Sequence, residues 1–482
     1  MKEDEKLTKS KPTSSTNEEP FPKRLKASTL LLDGTVKKKG SPSTFLTWNA
    51  NGFVSRCLYN AHDMQRLLQE TNYPDVLCLQ EVRLKAATTS SSVKNRATPL
   101  PSEYQLVQQV LESSAVFGDY ETFWSLADTR YAGTLTLLHK RLHIPGQDSM
   151  AFSTRDAISV LLKRFQVDRT DIRESELGCG GDDDNNNDVV TSPPTKSKNK
   201  QTSISSFFAP KAATGKKTTT KAKYSNHHPE GRFQFFCFAN CDLMQTYVPN
   251  NGTNEDSFQR RRDWDRDIRR VLDIRLQILE KAQQQQRPLL WCGDMNVARD
   301  YRDGTHWEER SHNSLTNNCN ANNTSTIYEW WRDETQCFAG SQAGKLDPNR
   351  SPDDRGIPSF TTNERRRFAE ILQLANLSDV WRELHPEDEK AGDTNTTYKF
   401  RWDRPCWTWR GHLGKAGNPY ASKYQGKGQR LDYFLLSPAQ LTPQIVDRCE
   451  IMGYGEKRQG HFCGSDHCAV LLRLKTPLGS NS

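Results

Sequence analysis

Six short polar segments of this 482-residue chain each adjoin an apolar run that predicts a β-strand. Hydrolysis of a phosphodiester needs an activated water, a cation beside the phosphoryl oxygens and support for the departing oxygen. The segments supply the carboxylates Glu81, Asp294, Asp432 and Asp466, together with asparagine amides and the imidazole of His467. Oxygen-rich sets of this kind suit magnesium. The six segments are Thr47–Gly52, Leu79–Arg83, Tyr247–Asn250, Cys292–Asn296, Gln429–Tyr433 and Gly464–His467.

Each segment taken singly has an ordinary structural explanation. An Asp-x-Asn after a strand is usually a turn or a helix cap. Glu81 alone could be a solvated strand end, and a single histidine near a C-terminus is usually a surface residue. Six such segments, each with polar groups at a strand edge, are hard to explain as independent turns. The combination predicts one phosphate-cleaving site assembled from distant parts of the chain.

In order and spacing, these segments resemble the exonuclease III class of abasic-site (AP) endonucleases, within the deoxyribonuclease-I-like endonuclease/exonuclease/phosphatase superfamily. The resemblance runs from Thr44 to Leu474 outside two insertions. It rests on the words Tyr-x-Pro-Asn, Gly-Asp-x-Asn-x-Ala, Arg-Leu-Asp-Tyr and Gly-Ser-Asp-His-Cys. It implies a base-excision-repair enzyme that hydrolyses DNA 5′ to an abasic site and leaves a 3′-hydroxyl, with 3′–5′ exonuclease or 3′-phosphodiesterase activity. It also implies double-stranded DNA with abasic sites or 3′-blocked ends as substrate, and Mg²⁺ as cofactor with Mn²⁺ as a substitute.

The resemblance implies a catalytic role for five side chains. Asp294 would orient or deprotonate the attacking water, with Asn296 helping to position it. His467 would contact the scissile phosphate and be held by Asp432, which is the usual carboxylate support for a working imidazole. Tyr247 would lie near the phosphate or the leaving oxygen.

Glu81 is expected to be the principal magnesium ligand. The resemblance places six residues around the metal, namely Asn51, Glu81, Asp294, Asn296, Asp466 and His467. It places five against the DNA, namely Asn49, Arg83, Asn250, Trp407 and Arg430, although Trp407 could equally be a core residue. Two positions depart from the class, because Asn51 stands where some members carry Asp and Gln429 where an aromatic residue often stands. The second departure leaves the balance between abasic-site cleavage and 3′-end processing open.

A separate motif, Gln201–Phe208, lies in a polar tract and fits the peptide pattern that binds the replication sliding clamp. A single turn would place Ile204, Phe207 and Phe208 on one side as an apolar plug, while Gln201 fills a neighbouring pocket. Exposed aromatic residues in a solvated tract usually mark a partner site. The alternative is a chance octamer or a short strand. We expect the clamp (proliferating-cell nuclear antigen) to bind reversibly, since the peptide must become ordered on binding.

Apolar runs and helical periodicity predict the elements that position these residues. Many short strands with few helices between them favour two packed sheets with helices outside. The expected fold class is α+β, a four-layer α/β/β/α sandwich in which two packed mixed β-sheets are flanked by helices. The predicted strands are Phe45–Asn49, Asp75–Gln80, Leu135–Leu138, Ala157–Leu162, Phe233–Phe238, Asp242–Tyr247, Leu289–Cys292, Leu431–Leu436 and Ala469–Leu474, and the predicted helices are Arg260–Lys281 and Arg365–Leu377.

Composition divides the chain into one catalytic domain with tails and insertions. Basic clusters at residues 22–26 and 37–39 are either nuclear-import signals or solvated charges. Polar tracts that cannot bury apolar surface are expected to be disordered. The predicted divisions are a disordered basic tail (1–43), a nuclease domain (44–474) interrupted by a disordered insertion with the clamp motif (168–229) and by a second insertion (301–355), and a C-terminal tail (475–482).

The bulk composition, 34% hydrophobic and 26% charged with a mean hydropathy of −0.83, indicates polar tracts that dilute an ordinary core. A net charge of +8 suits a protein that approaches phosphates but does not separate a nucleic-acid-binding protein from another basic enzyme. The chain shows neither a signal-peptide stretch nor an apolar run of transmembrane length, so we expect a soluble monomer with no membrane partner. The twelve cysteines lack metal-like spacing and are expected to be reduced, in the nucleus, with cytoplasm and organelles left open.

Two other functions stay open at this point. One is a phosphomonoesterase or an RNA-end nuclease on the same scaffold, against which the Tyr247–Asn250 word and the clamp motif count. The other is a clamp-tethered adaptor whose site has decayed, against which the completeness of the catalytic set counts.

Overall fold

The structure, a computed structural model, describes only part of the chain. The described residues are 41–88, 94–113, 117–173, 227–252, 254–299, 303, 358–359, 361–385, 407–409, 429–452 and 462–479, without the side chains of residues 94, 113 and 362. The clamp motif, the two basic clusters and most of both predicted insertions lie outside these residues. The predictions about them therefore stay predictions.

The described elements follow one another along the chain as many strands with helices between them. The strands are β1 (Thr44–Asn49), β2 (Val76–Gln80), β3 (Ala86–Thr88), β4 (Lys94–Pro99), β5 (Tyr120–Ser125), β6 (Thr134–His139), β7 (Met150–Ala151), β8 (Phe233–Cys237), β9 (Asp242–Tyr247), β10 (Leu289–Asp294), β11 (Ser378–Asp379), β12 (Asp432–Leu436), β13 (Val446–Ile451) and β14 (Val470–Leu474). The helices are α1 (Phe53–Tyr59), α2 (Ala61–Glu70), α3 (Pro101–Ser113), α4 (Thr154–Phe165), α5 (Glu255–Lys281), α6 (Thr362–Leu374) and α7 (Val380–Leu384). Short 3₁₀ helices span Gln147–Ser149, Arg169–Asp171 and Pro438–Gln440.

Two six-stranded mixed sheets form the centre of the molecule. The first has the order β13-β14-β1-β2-β6-β5 and the second the order β11-β12-β10-β9-β8-β7, while β3 and β4 form a separate hairpin. In each sheet two central strands are parallel, β1 with β2 and β9 with β10, and the other pairings are antiparallel. Parallel neighbours end at the same edge of a sheet, which is where open sheets usually place function.

The side chains of each sheet alternate between an inner and an outer core because successive strand residues point to opposite faces. In β1, Phe45 packs between the sheets, whereas Leu46 packs against the helices that cover the first sheet. In β10, Leu290 packs between the sheets, whereas Trp291 packs beneath α5 and α6. The layers are therefore helix, sheet, sheet and helix. The predicted α/β/β/α sandwich is confirmed.

The prediction of a strand at Ala157–Leu162 was wrong, because this run lies inside α4. Its buried residues are Ala157, Ile158 and Leu161, which is the spacing of one helix face. The helix begins where the Ser153 side chain accepts a hydrogen bond from the backbone N–H of Asp156. A short apolar run fits a buried strand and a buried helix face equally well. The polar cap, and not the apolar run, identifies the element.

The folded domain extends past four of the predicted boundaries. Ile172 and Leu478 are buried, and His227 stacks on Phe152 at a centroid distance of 4.4 Å. Ser43 donates from its backbone N–H to Asp75 at 2.8 Å. Residues near both ends of the first predicted insertion, and part of each predicted tail, therefore pack with the domain.

The longest described helix, α5, mixes charged and apolar residues along its 27 positions. Within the described residues no helix combines the length and the apolar character needed to cross a bilayer. Every cysteine in that part of the chain is a free thiol. Burial raises the pKa of the Cys57 thiol to about 12, which keeps it protonated and unreactive.

A buried ion cluster fixes the start of β9 to α5. The Asp242 carboxylate accepts hydrogen bonds from Arg275 at 2.8 and 3.0 Å and from Arg287 at 2.9 Å, and it is fully buried. Burial opposes ionisation of this carboxyl, but the two guanidinium groups outweigh burial and hold its pKa below the usual value. The cluster therefore favours the ionised carboxylate in the folded state.

We expect Asp242→Asn to lower the free energy of unfolding at pH 7 by about 3–5 kcal/mol, because two buried cations lose their counter-charge. A depressed folded-state pKa gives stability that is present above the unfolded pKa and is lost as the pH falls through the folded value. The variant should therefore also lose part of the acid dependence of stability. Urea unfolding between pH 3 and 7 measures both effects. Asp119→Asn, at an exposed position, is the control, and equal stability of the Asp242 variant and wild type would contradict the prediction.

Candidate active site

The carboxyl ends of the two parallel strand pairs carry the polar residues. Asn49 ends β1 and pairs in register with Gln80 at the end of β2, so Glu81 follows directly. Tyr247 ends β9 and pairs in register with Asp294 at the end of β10. A single side-chain amide bridges the two edges, which shows that they lie side by side. Asn49 Nδ2 donates to Asp294 Oδ2 at 2.9 Å and to Glu81 Oε1 at 3.2 Å.

Four residues in the loops that follow these strands have a left-handed backbone conformation. Asn51, Glu81, Arg83 and Asn296 have φ values of 46°, 49°, 54° and 46°, in the left-handed region that non-glycine residues seldom adopt. Such conformations persist only where the surroundings hold them, and they cluster at functional sites. The strain is an independent sign that these loops are built for a purpose other than stability.

The Glu81 carboxylate is held by contacts on both oxygens. Its Oε1 accepts hydrogen bonds from the Tyr247 hydroxyl and from Asn49, and its Oε2 pairs with the guanidinium of Arg83. The Glu81 side chain is 14% exposed and that of Arg83 is 43% exposed, so this part of the site opens to solvent. Arg83 can therefore move when another cation or a phosphate approaches.

Asp294 is buried and is held from both sides. Its Oδ1 accepts from the backbone N–H of Asn296 at 2.9 Å, and its Oδ2 accepts from Asn49. Asn296 Nδ2 donates to the Val248 carbonyl at 2.9 Å, and Asn296 Oδ1 accepts from Asn250 Nδ2 at 3.2 Å. The loops after β9 and β10 are thus joined through one asparagine.

His467 lies between two buried carboxylates. Its Nδ1 is 2.8 Å from Asp432 Oδ2, and its Nε2 is 3.9 Å from Asp294 Oδ2. The Trp48 indole donates to the His467 carbonyl at 3.0 Å, which fixes the backbone that carries the imidazole. The three side chains form an Asp–His–Asp row.

The pKa values of Asp294 and His467 are shifted by burial and by the neighbouring charges. Burial, and next the neighbouring Asp432, raise the pKa of Asp294 to about 7. Burial opposes the charged imidazole, but Asp432, helped by Asp294 and Asp466, outweighs burial and raises the pKa of His467 to about 10. At neutral pH the imidazole is therefore a cation, while Asp294 is balanced between its two forms. A proton acceptor beside a fixed cation is the arrangement that general base catalysis on a phosphate requires.

The oxygen atoms that could hold a cation lie around Glu81. Asn51 Nδ2 donates to Asp466 Oδ1 at 2.6 Å, and the Asn51 backbone N–H donates to Asn49 at 3.0 Å, so Asp466 belongs to the same network. Asp294, Asp432 and His467 also place one potential ligand atom each within 4.8 Å of one another. The set of Asp294, Asp432 and His467 is therefore a candidate for metal binding as well as for a proton relay.

Two of the predicted metal ligands have other duties. The side-chain amide of Asn296 is used by Val248, Asn250 and Asp294. His467 faces carboxylates with both nitrogens. The structure places both residues at the site, and metal ligation by either side chain stays a prediction.

Two of the predicted DNA contacts are buried instead. Arg430 is 1% exposed and pairs with Asp303 at 2.9 Å and with Asp379, and its charge balances these two buried carboxylates. Trp407 is 2% exposed and packs in the core between the sheets. Neither side chain is available to touch DNA, so these two predictions are corrected. Of the remaining three, Arg83 is exposed, Asn250 is partly buried, and Asn49 is fully buried and holds carboxylates.

Two residues at the site stand outside the predicted catalytic, metal-binding and DNA-binding sets. The Arg232 guanidinium is fully buried, lies 4.4 Å from the centroid of the Tyr247 ring and donates to the hydroxyl of Tyr131 at 2.9 Å. The Trp409 indole donates to Asp466 Oδ2 at 3.1 Å. An arginine at the start of an apolar strand was a usable signal for the first residue. Nothing local distinguishes Trp409 from a core tryptophan.

Comparison with known proteins decides the family. A model described as the Endonuclease/Exonuclease/phosphatase family matches residues 46–467. The chain belongs to this family. It is therefore an enzyme of the nuclease and phosphodiesterase kind. The complete set of site residues counts against an adaptor with a decayed site.

Curated relatives within the family are similar over almost the whole chain. One from Arabidopsis thaliana named "DNA-(apurinic or apyrimidinic site) endonuclease" is 30% identical over 450 residues, which cover 92% of this chain and 87% of the relative. Another of that name from Plasmodium falciparum is 25% identical and aligns with 91% of this chain but with 55% of its own length. A solved structure, the AP endonuclease LMAP from Leishmania major, aligns with 91% of this chain and 89% of its own at 18% identity and a TM-score of 0.46.

Proposed function

We propose that this protein is a magnesium-dependent DNA endonuclease of base excision repair that hydrolyses the phosphodiester 5′ to an abasic site and leaves a 3′-hydroxyl, with 3′–5′ exonuclease or 3′-phosphodiesterase activity. One observation carries the proposal. Asp294, poised near neutrality, lies 3.9 Å from the His467 imidazole, and the Asn49 amide joins Asp294 to Glu81. This arrangement brings together a proton acceptor (Asp294), a positively charged imidazole (His467) and the oxygen ligands around Glu81.

The donor set fits magnesium. Glu81 and Asp466 would hold the ion with the Asn51 side chain nearby, since Mg²⁺ takes oxygen ligands and keeps several waters. When bound, such an ion neutralises phosphoryl charge and lowers the barrier to attack on phosphorus. Mn²⁺ has the same ligand preference and is expected to substitute.

The Asp–His–Asp row would accept the proton of the attacking water and stabilise the charge on the phosphoryl group. Asp294 Oδ2 would accept a proton from the attacking water, and the Asn296 amide would orient that water. The protonated His467 would donate a hydrogen bond to a non-bridging phosphoryl oxygen, while Asp432 keeps the imidazole in place. The Tyr247 hydroxyl, which now donates to Glu81, would turn to the leaving oxygen and donate a hydrogen bond as charge develops there. Solvent water would supply the proton that completes the 3′-hydroxyl.

The choice of an abasic DNA substrate is supported by the names of the relatives and by the Tyr-Val-Pro-Asn word. A phosphomonoesterase or an RNA-end nuclease on the same scaffold is the alternative, since the family description includes phosphatases. The test is purified protein offered an abasic-analogue duplex, a matched 3′-recessed duplex, an RNA duplex and an inositol phosphate, with and without Mg²⁺. We expect metal-dependent incision of the abasic duplex at the fastest rate. Preferred release of phosphate from the inositol would refute the proposal.

We also propose that residues 201–208 bind the sliding clamp and tether the nuclease to replicated DNA. The nuclease would act in the nucleus, as a monomer. Phe207→Ala with Phe208→Ala should abolish clamp binding, because the apolar plug is removed, while cleavage of short oligonucleotides is unchanged. A pull-down and a cleavage assay on the same preparations measure this. Lys211→Ala with Lys216→Ala is the matched control outside the motif, and equal clamp capture by the Phe variant would contradict the prediction.

A further inference from the structure

We infer that Arg261 is a positioning residue for the reaction, because its guanidinium joins the two loops that carry Asn250 and Asn296. The inference rests on the proposed function, since it assigns Arg261 to the same site. Arg261 lies on α5, its hydrogen bonds and ion pairs include neither the carboxylates of the Asp–His–Asp row nor Glu81, and it stands outside the four sequence words on which the resemblance rests.

The contacts of Arg261 reach three parts of the chain. Its Nη1 donates to the Pro249 carbonyl at 3.2 Å and to the Asn296 carbonyl at 3.1 Å. Its Nε donates to both carboxylate oxygens of Asp265, at 2.9 and 3.1 Å, and Nη1 lies 3.6 Å from Glu364 on α6. The side chain is 1% exposed. Arg261 is therefore fixed by its neighbours and holds two loop carbonyls at once.

The Pro249 carbonyl directly precedes Asn250, and the other carbonyl is that of Asn296 itself. The side-chain amides of Asn250 and Asn296 are hydrogen-bonded to each other. Pro249 is followed by Asn250, whose Nδ2 donates to Asn296 Oδ1 at 3.2 Å, and Asn296 donates from its backbone N–H to Asp294. Asn296 has a φ of 46°, a conformation that needs support from its surroundings. The guanidinium supplies that support, because Nη1 donates to both carbonyls while the bonds from Nε to Asp265 hold the planar group in place.

A matched arginine on the same helix separates positioning from simple stability. Arg275 lies four turns later, about 21 Å along the axis at 1.5 Å per residue. It too is buried, binds a carboxylate (Asp242) at 2.8 Å and donates to the Arg287 carbonyl at 3.0 Å. Asp242 starts β9, at the end opposite to Tyr247. Loss of Arg275 should therefore weaken the fold without moving the site.

The experiment compares Arg261→Met, Arg261→Lys and Arg275→Met in the full-length protein, with steady-state cleavage of the abasic-analogue duplex and thermal unfolding. We expect both Met variants to lower Tm to a similar extent. Per folded molecule, Arg261→Met should lower kcat by about 10²-fold with KM little changed, as expected for misplaced reacting groups, and Arg275→Met should keep the wild-type kcat. The inference is overturned if Arg261→Met keeps the wild-type kcat, or if Arg275→Met loses as much.

Arg261→Lys provides a readout that does not depend on activity or on the Met variant folding. Lysine keeps the charge but loses the fork, so we expect partial rescue, with kcat about tenfold below wild type. The side-chain amide NMR signals of Asn250 and Asn296, in asparagine-labelled protein, should shift in Arg261→Lys and stay in place in Arg275→Met. Unshifted signals in Arg261→Lys would overturn the inference. If wild type fails to cleave the duplex while these signals still shift, the proposed function fails and the positioning role stands.

Discussion

Replacing Asp294 with Asn should lower kcat for cleavage of the abasic duplex by about 10³-fold, because the amide cannot accept the proton of the attacking water. The same change should leave the free energy of unfolding at pH 7 no lower than in wild type. Burial and Asp432 raise the pKa of Asp294 to about 7, above its unfolded value, so the ionised carboxylate costs stability at neutral pH. An uncharged amide removes that cost, which offsets the loss of one accepted hydrogen bond, because the single amide oxygen can face the Asn49 amide or the Asn296 N–H but not both. Urea unfolding and single-turnover cleavage measure the two effects.

Two further variants test whether the Asp–His–Asp row acts as a unit. His467→Ala should lose a comparable factor in kcat, and the double variant should fall little further than the more damaging single one, as groups that act together behave. Asp119→Asn is the matched control, since this exposed residue precedes β5 at the edge of the sheet away from Asn49 and Glu81. Multiplicative losses in the double variant, or near-wild-type turnover of Asp294→Asn, would remove the proposed mechanism.

Glu81→Gln should weaken cation binding and lower cleavage on the order of 10³-fold at low Mg²⁺, with partial recovery as the metal concentration rises. The carboxylate is the centre of the oxygen-rich part of the site and accepts from Tyr247, Asn49 and Arg83, so the amide loses charge while keeping shape. A metal that neutralises phosphoryl charge supplies several kcal/mol to the transition state. Titration with Mn²⁺ followed by electron paramagnetic resonance measures the affinity directly.

The comparison for this prediction is Glu121→Gln, which neutralises an exposed glutamate of β5 without touching the site. It should bind Mn²⁺ and cleave DNA as wild type does. If Glu81→Gln binds the cation with unchanged affinity, Glu81 is not the principal ligand. Loss of cleavage with unchanged affinity would assign Glu81 to the positioning of Tyr247 instead.

Much of the fold could be predicted where one pattern dominates. The strand Asp242–Tyr247 was predicted to the residue because an uninterrupted run of buried side chains leaves few other options. The helix α5 was predicted from Arg260 but begins at Glu255, because its first turn is polar and is set by the Asn254–Ser257 capping box. The run within α4 was assigned to the wrong element, since its length suits both. Strand β13 was missed because its exposed charged residues, such as Asp447, hide its buried positions.

The sequence predicted which residues form the site better than it predicted what each residue does there. The sequence pointed to Glu81, Asp294, Asp432, Asp466 and His467. The structure joins Glu81, Asp294 and Asp466 through the amides of Asn49 and Asn51, and it places the Asp432–His467 pair 3.9 Å from Asp294. The sequence did not distinguish a metal ligand from a proton relay, because that depends on burial and on the distance between charges. The same applies to Arg430, which ends in a buried ion cluster although its neighbours in sequence are functional.

The sequence by itself determined which polar residues follow which strands, and with them the family of the enzyme and the kind of bond it cleaves. These features depend on side-chain periodicity and on short motifs, which act over a few residues. Only the tertiary structure decided that Asn49 bridges Glu81 and Asp294, that His467 is held as a cation, and that Arg261 ties two loops from behind. Desolvation and Coulomb interactions depend on distances between residues hundreds of positions apart, and folding alone sets those distances.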